Sequence, residues 1–559
     1  MTNKWQPSLG IEPTQELMEI IECDQSISVL AGAGSGKTEL LAQKANYLLE
    51  TGKCTWPSKI LCLSYKKEAQ ENIKARVEKR CGQKSDRFDS YTFDAFCKSI
   101  VDRFKDVLPK NRRPHNNYDL VFNTRECNKK NKISFDLIRI LALEIIHARP
   151  DIADLFSLSY SHVFIDEFQD TRLDQYQLLQ CLFNKKNIKL VAVGDINQSI
   201  MLWAKASPTA FKDFEKDFNP EKKLLIKNYR SSKEIQEVLG CFIHFVQEDP
   251  DIPPIKKTSD NCSIHIFNNE ISEANYLACK ISDFIKNGIE ENEICVLTKQ
   301  LSAQYTEKLR DKLTTHGIRN LEMSELQDIL KEPLGEIFSS LFMVFTSKSP
   351  FNYTKICNIY LSLHRVERGD SKESKLITDL SEVISCNRIK LHDDKNVDTL
   401  LSCIKNTLNY FGKKRIIGRW NQYKSHDFFT KVWNKLEDHL RHTVSVTNSL
   451  TEAALMFQAE NAVQIMNIHK SKGLEYKVVI FLGLEDEAFW SYKKEKFEND
   501  CAIYVALSRA KEKILITTAK HREHRITKQY DNRFSSYTNL MPVYNFLTRS
   551  CNFQCIKEH

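Results

Sequence analysis

The chain has 559 residues, of which 28% are charged and 42% hydrophobic, with 81 Lys and Arg against 73 Asp and Glu and a formal net charge of +8. That length supports several domains with real cores, and the mildly basic balance suits a polyanionic partner without demanding one. No run of about 18 apolar residues occurs and the start, Met-Thr-Asn-Lys-Trp-Gln-Pro, lacks the apolar stretch of a leader, so no membrane span and a cytoplasmic location are expected.

In chain order, Ser26 to Leu30 alternates polar and apolar residues and reads as a strand. It runs into Ala31-Gly32-Ala33-Gly34-Ser35-Gly36-Lys37-Thr38, and Thr38 to Glu50 then reads as a helix with Leu40, Leu41, Ala45, Leu48 and Leu49 on one face. Gly32, Gly34 and Gly36 let backbone amides turn inward around phosphate oxygens, and the helix N-terminus adds partial positive charge. Lys37 would reach the β and γ phosphates and Thr38 would ligate Mg²⁺. The strict loop pattern begins with Gly, where this chain has Ala31. Further on, His162-Val163-Phe164-Ile165 reads as a short buried strand that delivers Asp166-Glu167-Phe168-Gln169-Asp170. There Asp166 can hold Mg²⁺ through water, and Glu167 is placed to take a proton from an attacking water. The competing reading is an acidic loop that caps a helix. Ile60 to Leu63, Leu190 to Val193, Ile294 to Leu297, Val478 to Phe481 and Ile514 to Ile516 look like further buried strands. The 17 cysteines form no Cys-x-x-Cys pair, so reduced core thiols are expected and no zinc or iron–sulfur site.

Several further segments, in a fixed order, resemble the UvrD/Rep (PcrA) group of superfamily 1 DNA helicases from about Gln15 to about Thr518. Glu12-Pro13-Thr14-Gln15 precedes the loop where that family keeps an adenine-reading Gln. Ser64-Tyr65-Lys66-Lys67-Glu68-Ala69 and Tyr91-Thr92-Phe93-Asp94-Ala95-Phe96 resemble two DNA-contacting segments, although the family usually has His at Asp94. Val193 to Trp203 resembles the coupling motif, in which Gln198 would sense the γ phosphate and Trp203 would stack on a base. Asn228-Tyr229-Arg230-Ser231 and Tyr504-Val505-Ala506-Leu507-Ser508-Arg509-Ala510 carry the two arginines expected at the phosphate. Asn467 to Tyr476 resembles the motif that touches DNA through His469 and the ATP ribose through Glu475.

The resemblance implies an α/β fold of two RecA-like P-loop NTPase domains with parallel sheets, each interrupted by a mainly helical insertion. The expected bounds are 1–93 and 161–218 for the first domain, 94–160 for its insertion, 219–330 and 458–540 for the second, 331–457 for its insertion, and 541–559 for a tail. It implies ATP and Mg²⁺ as cofactors, single-stranded and tailed duplex DNA as partners, and 3′→5′ movement driven by ATP hydrolysis. Closure of a cleft that brings Arg230 and Arg509 to the γ phosphate would gate hydrolysis, since an arginine finger is worth roughly 10³–10⁵ in rate. The chain departs from the family at Met201-Leu202, at Ala204-Lys205 and at Glu498 to Ile503, positions that bear on DNA contacts and coupling more than on hydrolysis. Compact relatives also serve in antiphage systems such as Gabija. The alternative is therefore a DNA-responsive ATPase that regulates a partner nuclease and unwinds little itself.

Overall fold

The computed structural model describes residues 5–8, 10–116, 118–121, 127–128, 130–184, 186–201, 204–249, 261–367, 369–394, 396–523 and 536–558. The chain divides into two compact units, Met1–Pro253 with Lys494–Ser508, and Pro254–Lys493 with Arg509–His559.

The strands of the first unit are β1 (Ile27–Ala31), β2 (Lys59–Ser64), β3 (Phe88–Thr92), the short pair β4 (Asp119–Val121) and β5 (Lys132–Ser134), β6 (Tyr160–Ile165), β7 (Lys189–Gly194) and β8 (Glu221–Leu225). Six of them form a parallel sheet in the order β3-β2-β6-β7-β1-β8. Successive side chains of one strand enter different cores. Ile60, Cys62, Phe164, Val191 and Val193 join the helix Lys37–Glu50 on one face. Leu61, Leu63, Val163, Ile165, Leu190 and Ala192 join Phe96, Ile100, Ile138 and Phe168 on the other. Covering both faces is what makes these strands read as unbroken apolar runs.

The second unit holds β9 (Cys262–Phe267), β10 (Ile294–Thr298), β11 (Asn320–Glu322), β12 (Val463–Asn467), β13 (Tyr476–Leu482), β14 (Ala510–Ala519) and β15 (Gln554–Lys557), all parallel, in the order β11-β12-β10-β13-β14-β9-β15. Between β11 and β12 lie the helices Pro333–Thr346, Pro350–His364, Glu373–Asp393, Val397–Phe411, His426–Ser445 and Leu450–Phe457, which share a core around Phe338, Leu341, Phe342, Ile404, Leu436 and Phe457. Among the described residues this is a mixed α/β chain with two large parallel sheets and the short parallel pair β4-β5. Among the described residues no helix is long and apolar enough to cross a membrane.

Two stretches group differently from the sequence reading. β8 pairs with β1, and the helix Lys233–Val246 stays with the first unit, although both follow residue 218. The helix Lys496–Leu507 also belongs to the first unit, where its Cys501 thiol faces the Ile196 carbonyl at 3.9 Å. Sequence order places that helix beside β13 and β14, but its packing partners arrive from some 300 residues upstream.

Candidate active site

β1 ends at Ala31, and the loop that follows is fixed by Gly32, whose N–H donates to the Leu225 carbonyl of β8 at 3.0 Å. Gly34 and Gly36 take φ of +70° and +82°, conformations that favour glycine. At Gly34 a Cβ would also lie 2.3 Å from Asn228 Oδ1 and 2.8 Å from Arg230 Cβ. The loop is therefore pressed against the Asn228–Arg230 segment, and the Gly34 carbonyl accepts from the Tyr229 N–H at 3.0 Å. The helix Lys37–Glu50 starts at Gly36 with no side-chain cap, which leaves its first amides for another acceptor. Ser35 Oγ is buried and has no hydrogen-bond partner. An uncapped helix start, an orphaned hydroxyl and two left-handed glycines together fit a phosphate-bearing ligand held by Ala31 to Thr38.

Asp166 follows β6 and is anchored by its own N–H, which donates to the Leu63 carbonyl of β2 at 3.0 Å. Its Oδ1 accepts from the Glu167 N–H at 2.9 Å. Glu167 sits at φ +51°, ψ +47°, an uncommon conformation for a residue with a side chain. Strain of this kind persists where the surroundings impose it, and it clusters at functional sites. The Thr38 hydroxyl and the Asp166 carboxylate are hard oxygen donors of the type Mg²⁺ takes alongside substrate phosphates. Among the described residues no group of three or more His, Cys, Asp or Glu could hold a metal by itself.

A chain of hydrogen bonds leaves Glu167 for the neighbouring strand. Gln169 Nε2 donates to Glu167 Oε2 at 2.5 Å, while Gln169 Oε1 accepts from the Asp195 N–H at 3.0 Å. Asp195 Oδ2 then accepts from Gln198 Nε2 at 2.8 Å, and its Oδ1 accepts from the Asn197 N–H at 3.1 Å. Gly194 gives Gln169 its room, since a Cβ there would lie 2.3 Å from Gln169 Oε1. Burial pushes the Asp195 carboxyl above the usual carboxylate range, and the Lys37 charge and the Gln198 amide pull it back. Lys37, Glu167, Asp195 and Gln198 thus form one electrostatic group. Reading the sequence residue by residue singles out neither Gln169 nor Asp195. Their signal is a buried polar pair at the ends of adjacent strands.

Arg230 is half-buried, with its N–H on Asn228 Oδ1 at 2.8 Å and Nη1 on the Ser508 carbonyl at 3.1 Å. Gln15 lies exposed in the first turn of Gln15–Glu22 and donates to Glu19 at 2.9 Å. Nearby, Glu12 pairs with Lys227 at 2.6 Å, and Lys227 Nζ sits 5.0 Å from the centre of the Tyr229 ring, which is 54% exposed. Tyr229 is a third residue the sequence reading leaves unassigned: a half-exposed aromatic ring whose backbone is tied to the phosphate loop. In the second unit, Glu475 is exposed and pairs with Lys511 at 3.3 Å. Arg509 is buried there, its Nη1 on the Leu474 carbonyl at 3.2 Å. His469 lies in the short turn Ile468–Ser471 after β12.

The expected DNA-contacting residues divide. Tyr65 is half-buried just past β2, and burial and Asp170 push its hydroxyl pKa up. Thr92 spends its hydroxyl capping the helix Phe93–Phe104, accepting from the Ala95 N–H at 3.2 Å. Phe93 is 2% exposed and belongs to the hydrophobic core, so its ring offers no face to a base in this conformation. Trp203 lies outside the described residues. Asp94, which replaces the family's His, pairs with Arg139, and Arg139 also binds Asp136 and, at 2.8 Å, Asp174. Arg172 extends this network to Asp136 at 3.1 Å and to the Ala204 carbonyl at 3.2 Å, and Lys205 reaches Asp136 at 3.5 Å. Three of the departures from the family pattern, Asp94, Ala204 and Lys205, therefore meet in one ion network.

Residues 13–120 and 109–219 match the family model of the UvrD/REP helicase N-terminal domain, and residues 224–333 and 360–521 match that of the UvrD-like helicase C-terminal domain. A probable DNA helicase II homolog of Mycoplasma capricolum is 24% identical, with 90% of this chain and 84% of that protein aligned. The ATP-dependent DNA helicase PcrA of Staphylococcus epidermidis is 23% identical, with 88% and 81% aligned, and that of Staphylococcus aureus is 22% identical, with 91% and 83% aligned. Two helicase domain families matched in order, over parallel sheets that carry a phosphate loop and an acidic strand end, establish that the chain belongs to the UvrD/PcrA-like superfamily 1 DNA helicases, ATP-dependent enzymes with RecA-like folds.

Proposed function

We propose that this chain hydrolyses ATP at the site built on Ala31 to Thr38 and uses the energy to move 3′→5′ on single-stranded DNA and to open tailed duplexes. The observation that carries the reading is the hydrogen-bonded path Glu167–Gln169–Asp195–Gln198, which joins the residue placed to activate water to the residue placed to sense the γ phosphate.

In this reading Lys37 and the loop amides hold the phosphates, and Tyr229 and Gln15 flank the base. Thr38 and Asp166 would hold Mg²⁺, which supplies charge neutralisation at the phosphate oxygens when bound. Glu167 takes the proton of the attacking water, general-base work worth roughly 10²–10⁴ in rate. Gln198 responds to the γ phosphate, and its bond to Asp195 passes the change to the strand end beside Gln169. Arg230 and Arg509 stabilise the transferring phosphoryl group, and Glu475 serves the ribose. The direction of movement rests on the family resemblance, as do DNA contacts through Tyr65, Thr92, Trp203 and His469.

The test is steady-state ATP hydrolysis with and without single-stranded DNA, duplex DNA and RNA, using Glu167→Gln as control. Strong stimulation by single-stranded DNA, lost in Glu167→Gln while ATP and DNA binding persist, is the expected result; duplexes with a tail at one end or the other then give direction. Hydrolysis indifferent to every nucleic acid would overturn the motor reading in favour of an ATPase that answers to a protein partner such as a nuclease. Turnover that survives in Glu167→Gln would remove the base assignment.

A further inference from the structure

Trp490 is 67% exposed on a turn that is otherwise held from within. The turn follows β13 and begins at Gly483, φ +80°, where a Cβ would lie 3.0 Å from the Tyr305 ring. Glu485 is fully buried and bonded to Arg522 Nε at 2.6 Å, and Arg522 also pairs with Glu273 at 2.8 Å. The Glu485 carbonyl accepts from the N–H groups of Ala488 and Phe489, each at 3.1 Å, and the Phe489 carbonyl accepts from Tyr492 at 2.8 Å. On either side of Trp490, Phe489 and Tyr492 are buried, Phe489 edge-on to Phe481 with ring centres 6.1 Å apart. Two buried aromatic anchors and a buried ion network thus fix a turn whose one exposed aromatic ring is the indole.

The place of the turn gives that exposure meaning, because single exposed apolar residues are common on any surface. In a parallel sheet, ligands gather at the carboxyl ends of the strands. His469 follows β12, Lys299 follows β10 and Trp490 follows β13, and these three strands are neighbours in the order β12-β10-β13. Lys299 Nζ lies 5.2 Å from the centre of the Phe489 ring, directly beside the turn. Lys493 is exposed and has no carboxylate partner among the described residues. Two acidic groups of the turn are engaged, Glu485 by Arg522 and Asp486 by the N–H groups of Asn539 and Leu540. Trp56, more exposed at 82%, precedes β2 and so sits at the amino end of its sheet, away from any such position.

We propose that Trp490 is a stacking platform for a base of single-stranded DNA, continuing across the second unit the track that includes His469, with Lys299 and Lys493 drawing the backbone to it. The proposal rests on the motor reading above and adds to it a contact residue in the second unit. A rigid exposed indole next to lysines is the combination that sequence-indifferent strand binding uses, with roughly 1–3 kcal/mol per stacked base.

The experiment measures oligothymidine binding by fluorescence anisotropy at fixed salt, and the oligothymidine concentration that half-stimulates ATP hydrolysis, for wild type, Trp490→Ala and Trp490→Phe. Thermal unfolding of each variant checks the fold, which the removal of an exposed ring should leave intact. Trp490→Ala is expected to bind about 5- to 150-fold more weakly and to raise the half-stimulating concentration in proportion, with Trp490→Phe recovering most of the loss. Photocrosslinking with an iododeoxyuridine oligonucleotide should attach at Trp490. If the wild type binds and Trp490→Ala binds equally well, or crosslinks map elsewhere, the platform is refuted while the motor reading stands. If the wild type neither binds single-stranded DNA nor responds to it, the motor reading fails and the platform fails with it.

Discussion

Gln169→Glu is the sharpest probe of the proposed chemistry. In the wild type the Gln169 amide gives Glu167 a hydrogen bond at 2.5 Å. The variant keeps an oxygen able to accept from the Asp195 N–H but turns the donor facing Glu167 into a second carboxylate. Two carboxylates that close cannot both ionise, so one must hold a proton until a higher pH. If the side chains relax to about 4 Å, the repulsion at an effective dielectric near 20 is about 4 kcal/mol, equivalent to about 3 pH units before screening. Water at the site reduces this, and a displacement of about 1–3 units is expected for the pair as a whole. The base works deprotonated, so raising its pKa moves the acid limb of the rate profile upward, and activity is lost at a higher pH than in the wild type. The assay is kcat for DNA-stimulated ATP hydrolysis from about pH 5 to 9, under saturating ATP. Profiles for Gln169→Glu and wild type that superimpose would show that Glu167 is not the titrating base or that Gln169 does not touch it during turnover.

Gly34→Ala should abolish nucleotide binding by equilibrium dialysis, because its Cβ would meet Asn228 Oδ1 at 2.3 Å from a backbone at φ +70°; binding within about threefold of wild type would contradict the packed-loop geometry. Arg230→Ala should lower kcat by roughly 10³–10⁵ with nucleotide affinity changed far less, and a loss under about tenfold would remove it from the transition state. Arg139→Met takes the guanidinium from Asp94 and leaves Asp174 with Arg172, and Asp136 with Arg172 and Lys205. Since those carboxylates keep some water, the expected loss in denaturant unfolding is about 2–4 kcal/mol, below the full cost of breaking a buried pair, and no loss would mean that the network is ornamental. His439 is buried with Nε2 3.1 Å from the Phe457 carbonyl, and burial lowers its pKa from 6.5 to about 4. The unfolded chain therefore binds the extra proton between those values, and stability falls as pH drops from about 6.5 to 4, by about 3 kcal/mol for this one group. His439→Phe starts less stable at neutral pH, but its deficit against wild type should shrink by about that amount over the same window. A constant deficit would refute a buried neutral imidazole.

The sequence by itself carried the nucleotide loop, the acidic strand end and the parallel-sheet class. Each depends on short-range pattern: glycines at the positions with φ +70° and +82°, and apolar runs that strands need when both faces are covered. Tertiary structure alone decided the rest. Gln169 and Asp195 become partners only because β6 and β7 lie side by side, and Asp94 meets Arg139 across 45 residues of chain. Phe93 was legible as an aromatic in a motif, but its burial follows from what the neighbouring helices cover. The helix Lys496–Leu507 opens on charged and polar residues and is buried from Asn499 to Leu507, so nothing local assigns it to the first unit, and its contacts there do. Trp490 and Phe489 are neighbours in sequence with opposite fates, one ring exposed and the other in the core. Backbone preference and side-chain period act over a few residues, whereas pairing of buried polar groups and exposure of a given ring depend on which distant surfaces meet.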